Sequence, residues 1–393
     1  AQCYATNIED EAIEQIRNMC DMVFAEGQNI AIMPDAHAGK GCTIGTTMTV
    51  DDKICPSIVG VDLGCGMLMV DLGVDYIDFK QFDEACHYIP SGRNVWEGRK
   101  KNFDLTQLEC YRYLKDTKRI KRSIGSLGGG NHFIEVNRSS ETGNLYMVIH
   151  SGSRNLGKQV AEHYQSIAVQ LHSGFEQHFK DRQNIIDTYK AEGRRSEIQE
   201  ALAELNRNFR QHKCDVPKDL AFLYDQWFDD YIGDVAIAQQ FAVLNRETMA
   251  EVICDRLGIT PVSSFHTIHN YIDVNEMILR KGAISAKKGE KVLIPLNMRD
   301  GSILAYGKGN EKWNNSGPHG AGRLMSRTKA KATLSLQDFK DQMNGVYTTS
   351  ICDATLDEAP DAYKSKEDII GPISDSVDII EILKPVYNFK ASN

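Results

Sequence analysis

The order of periodic segments along the chain limits the possible folds most strongly. Residues 30 to 75 contain two β-rich runs broken by Gly and Pro, NIAIMPDAHAGKGCTIGTTMTV and ICPSIVGVDLGCGMLMVDLGV, as expected of strands joined by tight turns. Residues 156–256 instead place apolar side chains at helical spacing, and from Thr267 onward the chain returns to short strands and Gly-rich turns. Because candidate site residues come from both β-rich parts, we predict one α+β body over residues 1–393, with mixed β-sheets and a helical insertion at 156–256.

The composition is that of an ordinary globular protein, since 41% of the 393 residues are hydrophobic and 25% are charged. The ten cysteines are scattered without a CxxC pair, which argues against zinc-ribbon and thioredoxin-like folds and favours a reducing compartment. No stretch approaches the roughly 18 apolar residues that a membrane-spanning helix needs. We therefore expect a cytoplasmic protein without a membrane partner.

The formal net charge of −9 argues weakly against nucleic acid as a partner. The charge is unevenly distributed, however. The segment from Arg93 to Arg122 has ten Lys/Arg against four acids, and a second basic run, RLMSRTKAK, extends from Arg323 to Lys331. Both runs are consistent with a solvated surface, but each adjoins a motif that carries candidate site residues.

Five Gly-rich segments carry potential ligands, and two of them lie in the first β-rich part. In VGVDLGCGM, Asp62 and Cys65 are three residues apart beside Gly64 and Gly66. A carboxylate with a thiolate suits manganese, zinc or cobalt, although a structural Cys at a buried strand end is the simpler interpretation. In SLGGGNHFIEV, three glycines expose N–H groups that can bind a phosphate ahead of His132; a core histidine is the alternative there.

Two further segments flank the helical block. In VIHSGSRNLG, His150 ends an apolar strand and Arg154 follows in a Ser/Gly-rich turn, where it would suit a phosphate or lie on the surface beside a capped helix. In FHTIHNYI, His266 and His269 are three residues apart. On a strand they would point to opposite faces, so we expect only one of them to be a ligand.

The fifth segment, GPHGAGRLMSRTKAK, places His319 in a loop with three glycines before a basic run. An imidazole in such a loop is approachable, which suits a nucleophile or a phosphate contact better than a core role. Together the five segments are consistent with two metal ions, or with one metal beside a nucleophile. The sequence has no GxxxxGK[ST] motif, which excludes a P-loop enzyme.

The motifs resemble those of the RtcB family of RNA ligases in both content and order. The chain contains MPDAHAGKG, VGVDLGCGM, GNHFIEV, HSGSR, HNY and HGAGRLMSRTKA in succession, and the likeness extends to the final YNFK. The resemblance implies a GTP- and Mn²⁺-dependent ligase that joins RNA 3′-phosphate or 2′,3′-cyclic phosphate ends to 5′-hydroxyl ends. It implies a role in RNA repair or tRNA splicing, leaves open a helper protein for guanylylation, and implies no membrane partner.

The resemblance also implies a role for individual residues. His319 matches the histidine that becomes guanylylated before the guanylate passes to RNA, giving an RNA–GMP end, and Arg154 matches a residue that holds an RNA phosphate. The positions that match the ligands of two manganese ions, with Cys65 shared, are Asp62, Cys65, His132, His150 and His269. The positions that match the guanylate pocket are Asn131, Glu135, His269, Asn270, Pro295, Leu296, Asn297, Met298, Ser302, His319, Gly320, Ala321, Gly322 and Lys390.

The nucleotide loop departs from the family pattern. It is PLNMR here, so that Asn297 replaces a common serine while Leu296 and Arg299 replace glycines. The departures leave the metal ligands and His319 intact and are consistent with a divergent subgroup. Two other functions remain open at this stage: a metal-dependent RNA phosphodiesterase or nuclease without ligation, and a non-catalytic RNA-binding module.

Overall fold

The computed structural model describes residues 1–210 and 212–391. Its strands are Gln2–Cys3 (β1), Ile30–His37 (β2), Ile44–Thr49 (β3), Lys53–Ile54 (β4), Cys65–Asp71 (β5), Phe133–Arg138 (β6), Leu145–Ser151 (β7), Leu223–Tyr224 (β8), Ser263–Asp273 (β9), Ile278–Lys281 (β10), Ala283–Ser285 (β11), Lys291–Asn297 (β12), Gly301–Gly307 (β13), Ser316–Pro318 (β14) and Val377–Lys390 (β15).

The α-helices are Asp10–Cys20 (α1), Pro56–Val59 (α2), Phe79–Tyr88 (α3), Thr117–Arg122 (α4), Arg154–Gln170 (α5), Glu176–Ala191 (α6), Ile198–Asn208 (α7), Asp225–Leu257 (α8), Arg327–Thr333 (α9), Leu336–Gln342 (α10) and Lys366–Ile373 (α11). A large curled mixed sheet accompanies these helices, which confirms the predicted α+β class. Within the described ranges, no helix is both long enough and apolar enough to cross a membrane.

The main sheet brings together strands from both β-rich parts of the sequence. Its strand order is β1-β2-β3-β10-β9-β5-β7-β6-β15-β13-β12. Strand β1 runs parallel to β2, and the pairs formed by β9, β5, β7, β6 and β15 are antiparallel. Short two-stranded sheets join β11 to β14 and β4 to β8.

Alternating side chains of β5 build a core on each face of the main sheet. Leu68 and Val70 pack in a cluster with Met249 and Ile253 of helix α8. Met67 and Met69, which point to the other face, pack in a cluster with residues of β12, β13 and β15. The sheet therefore curls so that its own far strands cover one face, whereas α8 covers the other. Helix α8, from the segment predicted as a helical insertion, thus packs directly against the main sheet.

The register places the ends of four neighbouring strands at one edge. Cys65, at the start of β5, is opposite Asn270 on β9, and Met67 is opposite His150 near the end of β7. His150 is in turn opposite Phe133, the first residue of β6. Because antiparallel neighbours alternate in direction, the starts of β5 and β6 meet the ends of β7 and β9. The Gly-rich motifs therefore converge although up to two hundred residues separate them.

Candidate metal centre and nucleotide cavity

A row of five potential ligands lies at this edge of the sheet. The Sγ atom of Cys65 is 3.5 Å from Nε2 of His132 and 3.3 Å from Nε2 of His150. These three atoms lie close enough together to hold one ion. The row extends at both ends, since Asp62 Oδ2 is 3.0 Å from His132 Nε2 and His269 Nε2 is 3.0 Å from His150 Nε2. The structure thus brings together all five side chains predicted as metal ligands.

The His150 ring has the tautomer that a metal ligand needs. Its Nδ1 lies 3.0 Å from the backbone oxygen of Asn131. A carbonyl only accepts, so Nδ1 carries the proton and Nε2 presents its lone pair to Cys65 and His269. Burial lowers the pKa of His150 well below its usual value, and the neighbouring His132 lowers it further. A neutral imidazole, a thiol and a carboxylate are a donor set that fits a divalent transition metal.

Two glycines permit this close packing. A Cβ at Gly128 would overlap the imidazole of His132, and one at Gly152 would overlap the carboxylate of Asp62. Both glycines lie in the loops that the sequence singled out. The glycine content of these motifs therefore serves the close approach of backbone to ligand side chains.

His266 and His269 occupy opposite faces of β9, as their odd separation on a strand requires. His269 reaches the ligand row, whereas His266 points to α8 and contacts Arg246 Nε and Glu247 Oε1, each at 3.3 Å. Burial lowers the pKa of His266 to about 3, and the charge of Arg246 contributes to that shift. Of these two histidines, only His269 is near the other candidate ligands.

His319 stands beside the row, with its ring centroid 4.9 Å from that of His269. Its Nδ1 lies 2.7 Å from Oδ2 of Asp35, a carboxylate with no exposed surface, and its backbone N–H donates to the same oxygen at 3.2 Å. About 20% of the His319 side chain is exposed, and this exposed part faces a cavity. The ring is therefore both fixed on one side and accessible on the other.

The cavity in front of His319 has a volume of about 230 Å³. The predicted nucleotide residues that line it are Asn131, Glu135, Pro295, Leu296, Asn297, Met298, His319, Gly320, Ala321, Gly322 and Lys390. His150 also lines it, so that the cavity and the ligand row share a wall. A concave site with a few convergent polar groups is what a nucleotide requires.

Three predicted pocket residues are outside the lining of this cavity. His269 lies behind it in the ligand row, where it contacts His150. Asn270 accepts a hydrogen bond from the backbone N–H of Gly282 at 2.9 Å and so holds the chain next to His319. Ser302 is fully buried on β13, opposite Pro295. These three residues therefore lie behind the cavity wall and support it, but their side chains do not line the cavity.

Two buried carboxylates of the cavity have opposite pKa shifts. Burial raises the pKa of Glu135 to about 7, even though Asn137 and Asn388 donate hydrogen bonds to it. Burial also acts to raise the pKa of Glu358, but the charges of Lys390 and Arg327 outweigh it and lower that pKa to about 2. One acid is therefore surrounded by amides and the other by cations.

The basic run from Arg323 to Lys331 is largely paired. Arg327 Nη1 lies 2.8 Å from Asp357 and 2.7 Å from Glu358, and Lys331 lies 3.2 Å from Asp357. Arg323 contacts Glu358 at 3.3 Å, and Arg323 and Arg327 both line the cavity. Arg327 and Lys331 also keep 42% and 45% of their side chains exposed, so the run combines ion pairing with contact to solvent. Arg323 and Arg327 form part of one wall of the cavity.

Arg154 lies on the other side of the ligand row. It lines a separate cleft whose other cations are Arg93, Arg119 and Lys158. Its guanidinium donates to Ser126 Oγ at 3.2 Å and to the backbone oxygen of Gly92. Its backbone has a φ of +57°, which is unusual for a residue with a side chain and costs about 1–3 kcal/mol. A strained arginine thus faces a basic cleft.

Sequence reasoning missed several residues of the site. Asp35 and His37 belong to the motif MPDAHAGKG, and Asn388 belongs to YNFK. Both motifs were recognised in the sequence, but no role was assigned to these three side chains. Glu358 and Tyr363 belong to no motif considered. His37, Phe133, Glu358, Tyr363 and Asn388 line the cavity, and Asp35 supports His319 from behind.

Comparison with known proteins shows one consistent likeness. The family described as tRNA-splicing ligase RtcB matches residues 15–117 and 108–391. The RNA-splicing ligase RtcB of Escherichia coli K12 is 32% identical over 428 aligned residues, which cover 98% of this chain and 95% of that protein. RNA-splicing ligase RtcB2 of another E. coli strain is 26% identical and covers 98% of the chain and 93% of its own length. The tRNA-splicing ligase RtcB of Archaeoglobus fulgidus is 26% identical, with coverage of 93% and 88%.

Proposed function

The chain belongs to the RtcB family of RNA ligases, and from that premise we propose that it joins an RNA 3′-phosphate or 2′,3′-cyclic phosphate end to a 5′-hydroxyl end, with GTP and Mn²⁺. The observation that carries the proposal is the position of His319 between a cavity of about 230 Å³ and the row of five ligands, with 4.9 Å between the His319 and His269 ring centroids. A nucleophile, an activating centre and a substrate pocket are then adjacent.

His319 is the proposed nucleophile. The Asp35 carboxylate holds the proton on Nδ1, so the lone pair of Nε2 is free to attack. Attack on the α-phosphorus of GTP forms an N–P bond, breaks the bond to the β-phosphate oxygen, and releases pyrophosphate. A 2′,3′-cyclic phosphate end is first hydrolysed, with water breaking the bond from phosphorus to the 2′ oxygen to leave a 3′-phosphate. The RNA 3′-phosphate then attacks the same phosphorus of the guanylate and displaces His319, which gives the RNA–GMP end. Attack by the 5′-hydroxyl releases GMP and completes the phosphodiester.

Asp62, Cys65, His132, His150 and His269 would hold two Mn²⁺ ions. Their arrangement supports this, because Cys65 lies within 3.5 Å of both His132 and His150 while Asp62 and His269 extend the row in opposite directions. Divalent ions at such a centre oppose the charge that develops on phosphoryl oxygens. The protein contributes by holding the five ligand side chains in fixed positions at a buried edge of the sheet.

The cavity is the proposed guanylate pocket. Lys390 and the arginines of the 323–331 run supply cations for phosphate, and Asn131 and Glu135 supply polar groups. The divergent loop PLNMR is stabilised by hydrogen bonds to its own backbone. Asn297 Oδ1 accepts from the backbone N–H groups of Arg299 at 3.0 Å and Asp300 at 2.9 Å. The loop PLNMR therefore forms a fixed turn that keeps Pro295 to Met298 against the cavity.

RNA is the proposed partner on the side of Arg154. The cleft with Arg93, Arg119 and Lys158 has the charge that a phosphate backbone requires, and Arg154 adjoins His132 across Gly128. RNA and nucleotide would thus approach the ligand row from two sides.

All ten cysteines are free, which supports the cytoplasm as the compartment. A helper protein for guanylylation is a separate expectation, for which RtcB family membership is the sole support.

A joining assay tests the proposal. One RNA with a 2′,3′-cyclic phosphate and a second with a labelled 5′-hydroxyl end are incubated with Mn²⁺, with and without GTP. We expect a joined product that requires GTP and disappears in the His319→Ala variant, whereas His212→Ala, at an exposed histidine outside the site, serves as the histidine control. Hydrolysis of the cyclic phosphate without any joined product would contradict the proposal and favour a metal-dependent phosphodiesterase.

A further inference from the structure

Helix α8 carries two adjacent polar residues, Asn245 and Arg246, that have no exposed surface. An unpaired buried guanidinium costs several kcal/mol. Both side chains are directed at the backbone of the segments that carry the candidate metal ligands. Asn245 uses both its amide oxygen and its amide nitrogen in hydrogen bonds, and Arg246 uses Nε and Nη1, while Arg246 Nη2 is buried without a partner among the described residues.

Asn245 joins the loop before His132 to the turn after His150. Its Oδ1 accepts from the backbone N–H groups of Gly125 at 2.8 Å and Ser126 at 3.0 Å. Its Nδ2 donates to the backbone oxygen of Gly152 at 3.0 Å and to Ser151 Oγ at 3.2 Å. One amide thus fixes two Gly-rich segments relative to each other.

Arg246 joins the start of β5 to the end of β7. Its Nη1 donates to the backbone oxygens of Gly64 at 2.8 Å and Ser151 at 2.7 Å. Gly64 directly precedes Cys65, and Ser151 directly follows His150. The planar guanidinium therefore sets the spacing between the two backbone segments on which those two ligands depend.

We infer that Asn245 and Arg246 are positioning residues that preorganise the metal centre by clamping the backbone next to Cys65, His132 and His150. The inference rests on the proposed metal role of that cluster. Glycines at 64, 66, 125, 128, 129, 130 and 152 make these segments costly to order, so a clamp that orders them in advance raises metal affinity. The cation of Arg246 also lies beside a site that contains a carboxylate and a thiol.

Cobalt binding tests the inference, because Co²⁺ bound to a thiolate has a characteristic absorption band. The variants are Asn245→Asp, which keeps the acceptor but removes the donor to Gly152, and Arg246→Lys, which keeps the charge but replaces the longer guanidinium whose Nη1 reaches the backbone oxygens of both Gly64 and Ser151. Thr248→Val is the matched control, since Thr248 is buried on the same helix and, within residues 1–210 and 212–391, its hydroxyl donates to the backbone oxygen of Leu244 alone, at 2.7 Å. Circular dichroism and thermal unfolding verify the fold of each protein.

We expect Asn245→Asp and Arg246→Lys to weaken Co²⁺ binding by about 10- to 100-fold, as loss of an outer-shell partner does, while Thr248→Val binds as the unaltered protein does. If Arg246→Lys fails to fold, Asn245→Asp carries the test. Unchanged affinity in that variant, or an equal loss in Thr248→Val, would overturn the positioning role alone. Absence of a thiolate band in the unaltered protein would overturn both this role and the proposed metal centre.

Discussion

Nδ1 of His319 lies 2.7 Å from Oδ2 of Asp35, and Asp35 lies on strand β2 with no exposed surface. The carboxylate orients the ring and holds its proton away from the cavity. The side chain of Asn at position 35 would donate to Nδ1 instead and leave the proton on Nε2, where it blocks attack. We expect Asp35→Asn to slow covalent guanylylation by roughly 100- to 10,000-fold, with the fold retained.

Single-turnover labelling with GTP measures this rate. Asp52→Asn is the control, since the Asp52 side chain is 72% exposed and pairs only with Lys53. Labelling of Asp35→Asn at the rate of the unaltered protein would show that the carboxylate does not set the tautomer of His319.

Glu135 should make the protein less stable as the pH rises from about 4.5 to 7. Burial raises its pKa to about 7 in the folded state, so between these values the native protein holds a proton that the unfolded chain has released. Stability falls with pH in such a window, by up to about 3 kcal/mol at 1.36 kcal/mol per unit.

Urea unfolding at a series of pH values tests this expectation. Glu135→Gln cannot ionise, so the difference in unfolding free energy between it and the unaltered protein should change across that window. A constant difference from pH 4.5 to 7 would contradict the raised pKa.

Glu358 should have the opposite effect at lower pH. The charges of Lys390 and Arg327 lower its pKa to about 2 despite its burial. Its contribution to stability is therefore complete above pH 4.5 and is lost as the pH falls towards 2. We expect Glu358→Gln to remove about 3 kcal/mol near neutral pH and little at pH 2, as measured by urea unfolding. Equal destabilisation at both pH values would contradict the ion-pair account.

Gly152 should be required for metal loading. A methyl group there would overlap the Asp62 carboxylate, which must then leave its place beside His132. We expect Gly152→Ala to lose at least about 10-fold in Mn²⁺ affinity, measured by elemental analysis after dialysis against known metal concentrations. Gly98→Ala is the control, because a Cβ at Gly98 meets nothing within 4 Å. Equal metal content in both variants would contradict the placement of Asp62.

The fold class was predictable because alternation and glycine turns are local signals. The β-rich runs and the helical spacing at 156–256 both depend on near neighbours in sequence. The same holds for Cys65, His132 and His150, which stand at strand ends beside glycines. Their convergence follows from strand order, which local patterns do not determine.

Hydrogen bonds and ion pairs between residues far apart in the sequence could not be predicted from local patterns. Asp35 and His319 are 284 residues apart, and nothing local to either residue predicts their hydrogen bond. The ion pairs of the 323–331 run could not be predicted, because its acidic partners, Asp357 and Glu358, lie outside the motif. Asn245 and Arg246 lie in a helix whose polar residues would ordinarily be placed in solvent. In each case the partner is set by tertiary packing rather than by spacing.

Covalent labelling of His319 tests the central claim most directly. The protein is incubated with Mn²⁺ and GTP labelled at either the α- or the γ-phosphate, denatured, and digested for mass spectrometry. We predict that the α-label is retained as a guanylate on His319, that the γ-label is not retained, and that His319→Ala carries neither while the exposed-histidine control His212→Ala labels normally. A guanylate on another residue, or an α-label that persists in His319→Ala, would contradict the account.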